Sequence, residues 1–461
     1  MRNREIPATP LITIARRPAS ALGVFTPCLL AVACILAGAC ILVSLTGCAS
    51  VLVEDASKPS PLLAATTVHA VAGSPIERIV VIMQENRSFD NLFHDYPGAD
   101  TVQSGMSKGV SIPLKPVGLA YGHDLKHTHP QWWKDWDHGA MDGFAQSGAD
   151  PPTLAYSYVP RKDVEPYWDL AEQYTLGDHM FQSNTGPSFV AHQYMIAGQS
   201  GDVVGNPTGT IWGCDADPSA RAPLVGPNGT DLPGVFPCFD YQTMADLLDA
   251  RGITWRYYAP SGLQHFYILS AYQAIRHIRY GKDWKKNVIS PQNRVLTDIA
   301  AGELAQVTWI VPDLSHSDHP ASGSLEGPDW VASIVNAIGT SKYWNSTAIF
   351  ISWDDWGGWY DHVDPPVVDN MGPGFRVPVL VVSPYARHGY VSHQFHLSSG
   401  FNTFIEENFD LPSLGARDAV ADDFADCFDY AQTPAPFKSI ATKVTARELI
   451  HEASTGPPDD D

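Results

Sequence analysis

The sequence predicts an α/β fold in which a mostly parallel central sheet is sandwiched between helices and joined by long loops. Three observations carry this. Short apolar runs without alternation recur along the chain, helical patterns lie between them, and 37 glycines with 37 prolines punctuate the whole. A β-branched or aromatic run with no polar face is the pattern of a strand buried on both sides. Strands alternating with helices give a parallel sheet covered by those helices. Gly and Pro at this density imply many ordered turns between short elements.

The elements follow in chain order. Residues 1–47 read as an address: Arg2, Arg4, Arg16 and Arg17 precede an uncharged run from Pro18 to Gly47. A basic start, an apolar stretch and small residues before a cut describe a secretory signal. Its ending, Leu45-Thr46-Gly47-Cys48, resembles a bacterial lipobox, which implies cleavage before Cys48 and lipid on its thiol. The run is also long enough to span a bilayer as an uncleaved anchor. Either reading places the rest of the chain outside the cytoplasm, with membrane contact at its N-terminal end. Residues 48–75, rich in Ala, Ser, Pro and Val, suit a tether to a folded body over 76–450. Residues 451–461 end in Asp459-Asp460-Asp461 and read as an acidic tail.

Within the body, Ile79–Met83, Val307–Val311, Ala348–Trp353 and Val377–Ser383 are the strand candidates. Tyr241–Arg251, Trp330–Ile338 and Phe401–Asn408 are the clearest helices. Of 461 residues 44% are hydrophobic, ample for a large core, and the formal charge is −21. Without residues 1–47 the chain keeps 25 basic and 49 acidic side chains, a net −24. The apolar content excludes a disordered polymer, and the acidic balance excludes a nucleic acid as structural partner. In an oxidising compartment Cys214 and Cys238 can pair, worth about 3.5 kcal/mol on the chain-entropy model. A pairing with Cys427 is open too.

Ligands of parallel sheets collect beyond the carboxyl ends of strands. After Met83 comes Gln84-Glu85-Asn86-Arg87-Ser88-Phe89-Asp90; after Trp353 comes Asp354-Asp355-Trp356-Gly357-Gly358. If the strands are neighbours, Glu85, Asn86, Asp354 and Asp355 gather three carboxylates and an amide, a set that needs a cation. Oxygen ligation favours one hard divalent ion, with Ca, Mg, Mn or Zn open. Alone, each segment reads equally as turn and cap residues.

A third segment, Asn184 to Gly198, reads as a helix with Pro187 at its first position and Gly198 at its stop. Ser188 then lies in the first turn, where free N–H groups attract an anion, and His192 lies on the same face. Taken alone, Ser188 is a cap and His192 a packed side chain.

Glu85-Asn86-Arg87-Ser88-Phe89-Asp90 resembles the hallmark of the bacterial phosphoesterase family of phospholipases C and acid phosphatases, within the alkaline phosphatase-like superfamily. Gly186-Pro187-Ser188, Asp318-His319-Pro320, the Asp354–Pro366 block, Gly374–Pro378, Ser383-Pro384-Tyr385-Ala386 and Arg417-Asp418-Ala419 continue the resemblance. It implies an alkaline phosphatase-like fold. It also implies metal-assisted hydrolysis of a phosphate ester, phospholipids among them, through a phosphoserine on Ser188, with Glu85, Asn86, Asp354 and Asp355 as ligands. Ser188-Phe189-Val190-Ala191-His192 departs from the Thr-x-Pro-Asn-Arg of many family phospholipases, which bears on substrate rather than chemistry. Asp355 stands where Glu is common.

A histidine is expected to protonate the leaving group. His319 is the first candidate, followed by His127, His123 and, on the helix of Ser188, His192. His362 serves equally well as a brace. Trp132, Trp133 and Trp136 are candidates for a choline-binding cage or for packing. Two alternatives are a surface binding lipoprotein without turnover and a sulfatase or phosphonate hydrolase of the same superfamily.

Overall fold

The computed structural model describes residues 75–260 and 270–452. The signal, all but the last residue of the tether, and residues 453–461 of the tail lie outside the described residues.

Among the described residues, eight strands form the central sheet: β1 (Arg78–Gln84), β2 (Thr175–Gly177), β3 (Trp255–Tyr258), β4 (Val288–Ile289), β5 (Val307–Ile310), β6 (Thr347–Trp353), β7 (Val379–Val382) and β8 (Tyr390–Ser392). Their order is β4-β3-β5-β1-β6-β7-β2-β8. All neighbours pair in parallel except at β7, which is antiparallel to both β6 and β2. Seven strands therefore point one way and β7 alone runs back. The predicted strand at Val377–Ser383 is thus shorter than its apolar run and reversed. Nothing in its composition encodes direction, because it too is buried on both faces.

The helices that matter are α1 (His129–Trp136), α2 (Glu165–Gln173), α3 (Ser188–Ala197), α4 (Met244–Ala250), α5 (Gly327–Gly339) and α6 (Gly400–Asn408). They cover both faces, as β6 shows. Side chains three apart on a strand point to opposite faces. Phe350 packs against Phe401 and Phe404 of α6, with centroids 5.5 and 4.9 Å away. Trp353 meets Tyr167 of α2 edge-on at 5.0 Å. The expected sandwich is what forms.

α3 begins one residue later than its sequence suggests. Pro187 is the N-cap, in extended conformation, and its carbonyl accepts from Val190 and Ala191 N–H. Ser188 is the first helical residue, and Gly198 ends the helix at φ 63°. Cys214 and Cys238 form a disulfide, which closes the long connection between α3 and α4. Cys427 is a free, buried thiol. A second aromatic core unites Trp132, Phe144, Tyr156, Trp356, Trp359 and Phe375.

Candidate active site

β1 and β6 lie side by side in parallel, with Gln84 opposite Trp353. The residues that follow leave the sheet at the same edge. Asn86 adopts a left-handed conformation, φ 58°. Its N–H donates to Asp354 Oδ1 at 3.0 Å, and the Asp355 N–H donates to the same oxygen at 2.7 Å. Gly357 N–H donates to Asp355 Oδ1 at 2.7 Å. Each aspartate thus spends one oxygen on backbone and keeps the other. Asn tolerates the left-handed region better than most residues, so the predicted ligand and the turn share one position. Gly357, at φ 60°, is required beside it: a Cβ there would lie 2.2 Å from the Asn86 carbonyl oxygen.

α3 closes the cluster. Ser188 Oγ lies 3.1 Å from Glu85 Oε2 and 3.4 Å from Asp355 Oδ2. One turn on, His192 Nε2 lies 3.0 Å from Glu85 Oε1 and 3.9 Å from Asp354 Oδ2. All these side chains are buried. The Phe189 N–H at the helix start donates to Asn206 Oδ1 at 3.1 Å. Three carboxylates and one imidazole in a buried space suit a cation. Asp354 Oδ2 sharpens the fit: it is buried and accepts no hydrogen bond among the described residues. Glu85, His192 and Asp354 each offer a ligand atom, all within 4.8 Å of one another. The four predicted ligand positions and Ser188 therefore come together, with His192 inside the same group.

Two of the candidate histidines flank this cluster. His127 Nδ1 is 2.6 Å from the Leu125 carbonyl and must donate to it. In the neutral ring its Nε2 then accepts from Asn86 Nδ2, 3.0 Å away, and so orients the amide. His319 lies beside it, ring centroids 6.2 Å apart. His319 Nδ1 accepts the Ala321 N–H at 3.0 Å, so the neutral ring carries its proton on Nε2. His123 is half-buried and makes its ring contact with Tyr121.

Apart from His362, the positioning residues are not evident from sequence. Gln84 donates to the His316 carbonyl and accepts the Asp318 N–H. Arg87, fully buried, donates to the Asp318 and Leu119 carbonyls and to Asn91 Oδ1. Between them they hold the His319 loop to the end of β1. Asp318 itself accepts from Tyr167 and Trp353, and burial pushes its carboxyl up to about 6. Asp90 and Asp361 grip the buried Arg376. His362 Nδ1 lies 2.7 Å from Asp90, which makes it a brace of that network. The adjacency of Gln84 and Arg87 to Glu85 was the available signal. Trp132 stacks on Trp136 inside the second core, so it serves as packing.

The model of the phosphoesterase family matches residues 76–412. The chain belongs to that family. It is a hydrolase acting on phosphate esters, built on a mixed, mostly parallel α/β sheet. Phospholipase C A of Mycobacterium tuberculosis is 27% identical over 427 residues, 78% of either chain. Non-hemolytic phospholipase C of Pseudomonas aeruginosa is 25% identical over 461 residues, 84% of this chain and 62% of that one. A solved alkaline phosphatase superfamily protein from Vibrio parahaemolyticus aligns over 78% of this chain and 74% of that one, with 9% identity and a TM-score of 0.39, a distance at which the likeness carries no argument. Among the described residues of this phosphoesterase, no helix is long and apolar enough to cross a membrane.

Proposed function

We propose that this phosphoesterase is a metal-dependent enzyme of the phospholipase C type, with Ser188 as nucleophile and a phosphoserine intermediate. The observation that carries it is the position of Ser188 Oγ, at the start of α3 and 3.1 Å from Glu85 Oε2. The phospholipase C names of its relatives support a phosphodiester substrate over a monoester.

Glu85, Asn86, Asp354 and Asp355, joined by His192, would hold one divalent ion, which lowers the pKa of a hydroxyl and neutralises a phosphate oxygen. The chain's own residues do the rest. Glu85 fixes the Ser188 rotamer. The helix start favours the anion that develops opposite it. Ser188 gives up its proton to solvent; as its Oγ–P bond forms, the bond to the leaving alkoxide breaks, and His319 Nε2 delivers a proton to that oxygen. His127 keeps the Asn86 amide turned for ligation. Water then cleaves the phosphoserine, releasing the phosphorylated head group and restoring the hydroxyl.

The Ser188 hydroxyl and the intact carboxylate set support turnover over a binding-only lipoprotein. The family match supports phosphate over sulfate esters. Export by residues 1–47 and a lipid at Cys48 belong to the same proposal. The deciding assay pairs the purified chain with p-nitrophenyl phosphorylcholine, p-nitrophenyl phosphate and phosphatidylcholine, with and without chelator. Diester cleavage that needs both Ser188 and a metal is expected. Exclusive cleavage of the monoester would replace the phospholipase reading with an acid phosphatase.

A further inference from the structure

A second group of potential ligand side chains shares no residue with the Ser188 cluster. His396 is fully buried on a short strand pairing with Met180–Phe181. Its Nδ1 lies 2.6 Å from Asp422 Oδ2, so in the neutral ring that nitrogen carries the proton and Nε2 presents a lone pair. Two donors face it: Cys427 Sγ at 4.0 Å and Asp426 Oδ1 at 3.7 Å. Sγ and Oδ1 are 3.6 Å apart. The tetrahedral bond lengths of zinc require separations of about 3.3–3.6 Å between N, O and S ligands. Contraction by a few tenths of an ångström converts the observed triangle into that geometry.

The backbone is shaped for this. Phe424 adopts a left-handed conformation, φ 56°, at the start of the short turn Ala425–Cys427. That bend brings Asp422 to one nitrogen of His396 and Asp426 and Cys427 to the other. The Phe424 ring stacks on the imidazole at 4.6 Å and fixes its plane. Ser392 Oγ donates to Asp426 Oδ2 at 2.5 Å and lies 2.9 Å from His396 Nε2, a contact that a metal on that nitrogen replaces.

We propose that His396, Asp426 and Cys427 form a structural zinc site, with Asp422 as the carboxylate that orients the imidazole. A carboxylate on the far nitrogen is the usual partner of a metal-bound histidine. A thiolate, an imidazole and one carboxylate are a borderline-soft set that selects zinc over calcium or magnesium. A coordinated cation would offset the Asp426 charge and deprotonate the Cys427 thiol. The site ties the segment 422–427 to the strand of His396, and it stands independently of the phosphoesterase chemistry. The rival occupant is a proton, leaving His396 as a buried imidazolium.

Cobalt tells the two apart in the full chain. Stripped of metal and loaded with Co2+, the protein should show thiolate-to-cobalt charge transfer in the near ultraviolet. The Ser188 cluster contains no sulfur, so it cannot produce that band. Cys427→Ser should abolish it and lower zinc content by one equivalent per chain, whereas Ser188→Ala should keep both. Should Cys427→Ser fail to fold, zinc-edge absorption of the wild-type chain decides, with a sulfur neighbour at about 2.3 Å expected. Nitrogen and oxygen neighbours alone, or a charge-transfer band unchanged in a folded Cys427→Ser, would overturn the proposal.

Discussion

Ser188 Oγ and His192 Nε2 bracket one carboxylate: the hydroxyl is 3.1 Å from Glu85 Oε2 and the imidazole 3.0 Å from Glu85 Oε1. One turn of α3 therefore delivers both groups to the end of β1. Glu85 is the joint between helix and sheet.

Removing the hydroxyl removes the nucleophile. Ser188→Ala should lose at least ~10³-fold in kcat on any phosphate ester. Its thermal midpoint should stay close to wild type, since only one hydroxyl leaves. Steady-state kinetics beside calorimetry checks both halves.

Asp354→Asn is the sharpest probe of ligation. The amide oxygen can keep the two backbone N–H bonds, so the turn survives while an NH2 replaces the inward oxygen. Metal affinity should fall by more than the ~10–100-fold typical of an outer partner. Titration calorimetry reads this directly. In the wild-type chain, chelation should lower both activity and melting temperature, and added metal should restore them.

The role of His319 depends on the leaving group. p-Nitrophenolate leaves without help, whereas an alkoxide needs a proton. His319→Gln should therefore cost about 10²–10⁴-fold on phosphatidylcholine and far less on the nitrophenyl diester. Equal losses on the two substrates would assign His319 to positioning instead.

Glu406 supplies a pH signature remote from the chemistry. Burial, then the Asp418 charge, push its carboxyl up to about 9, and it accepts the Leu414 N–H at 2.9 Å. A raised folded pKa means that the native chain holds the proton longer. This contribution to stability is complete below the unfolded value of about 4.3, declines as pH rises, and is gone above about 9. Glu406→Gln keeps the hydrogen bond without the titration. Between about pH 6 and 9 the wild-type midpoint should fall relative to the variant, and melting curves at matched ionic strength show it.

Much of this site is legible in the residues. Ile79–Met83 and Ala348–Trp353 are apolar on both faces, which places them inside a parallel sheet, and their carboxyl ends carry Glu85, Asn86, Asp354 and Asp355. Direction is a different matter. β7 reads like its neighbours yet runs against them, because strand polarity is set by the path of the connection from Asp354 to Pro378. The short strands Thr175–Gly177 and Trp255–Tyr258 are legible only as parts of loops, being too brief or too aromatic to form an aliphatic run. Hydrogen-bond partners such as Asn86 with His127 are invisible in one dimension, as are constellations without regular spacing such as His396, Asp426 and Cys427.

Gly357 and Gly358 have a consequence for how freely this protein can change. A Cβ on the first would press on the Asn86 carbonyl, and one on the second would lie 2.6 Å from Leu125 Cβ and 2.9 Å from the Lys126 carbonyl. The pair is the spacer between the arm that carries Asn86 and the arm that carries His127. In a saturation scan both glycines should prove as intolerant as Ser188, although neither has a side chain to react. One methyl group of volume sets a boundary on evolutionary drift here: the two arms can diverge in sequence only so far as the gap between them stays empty.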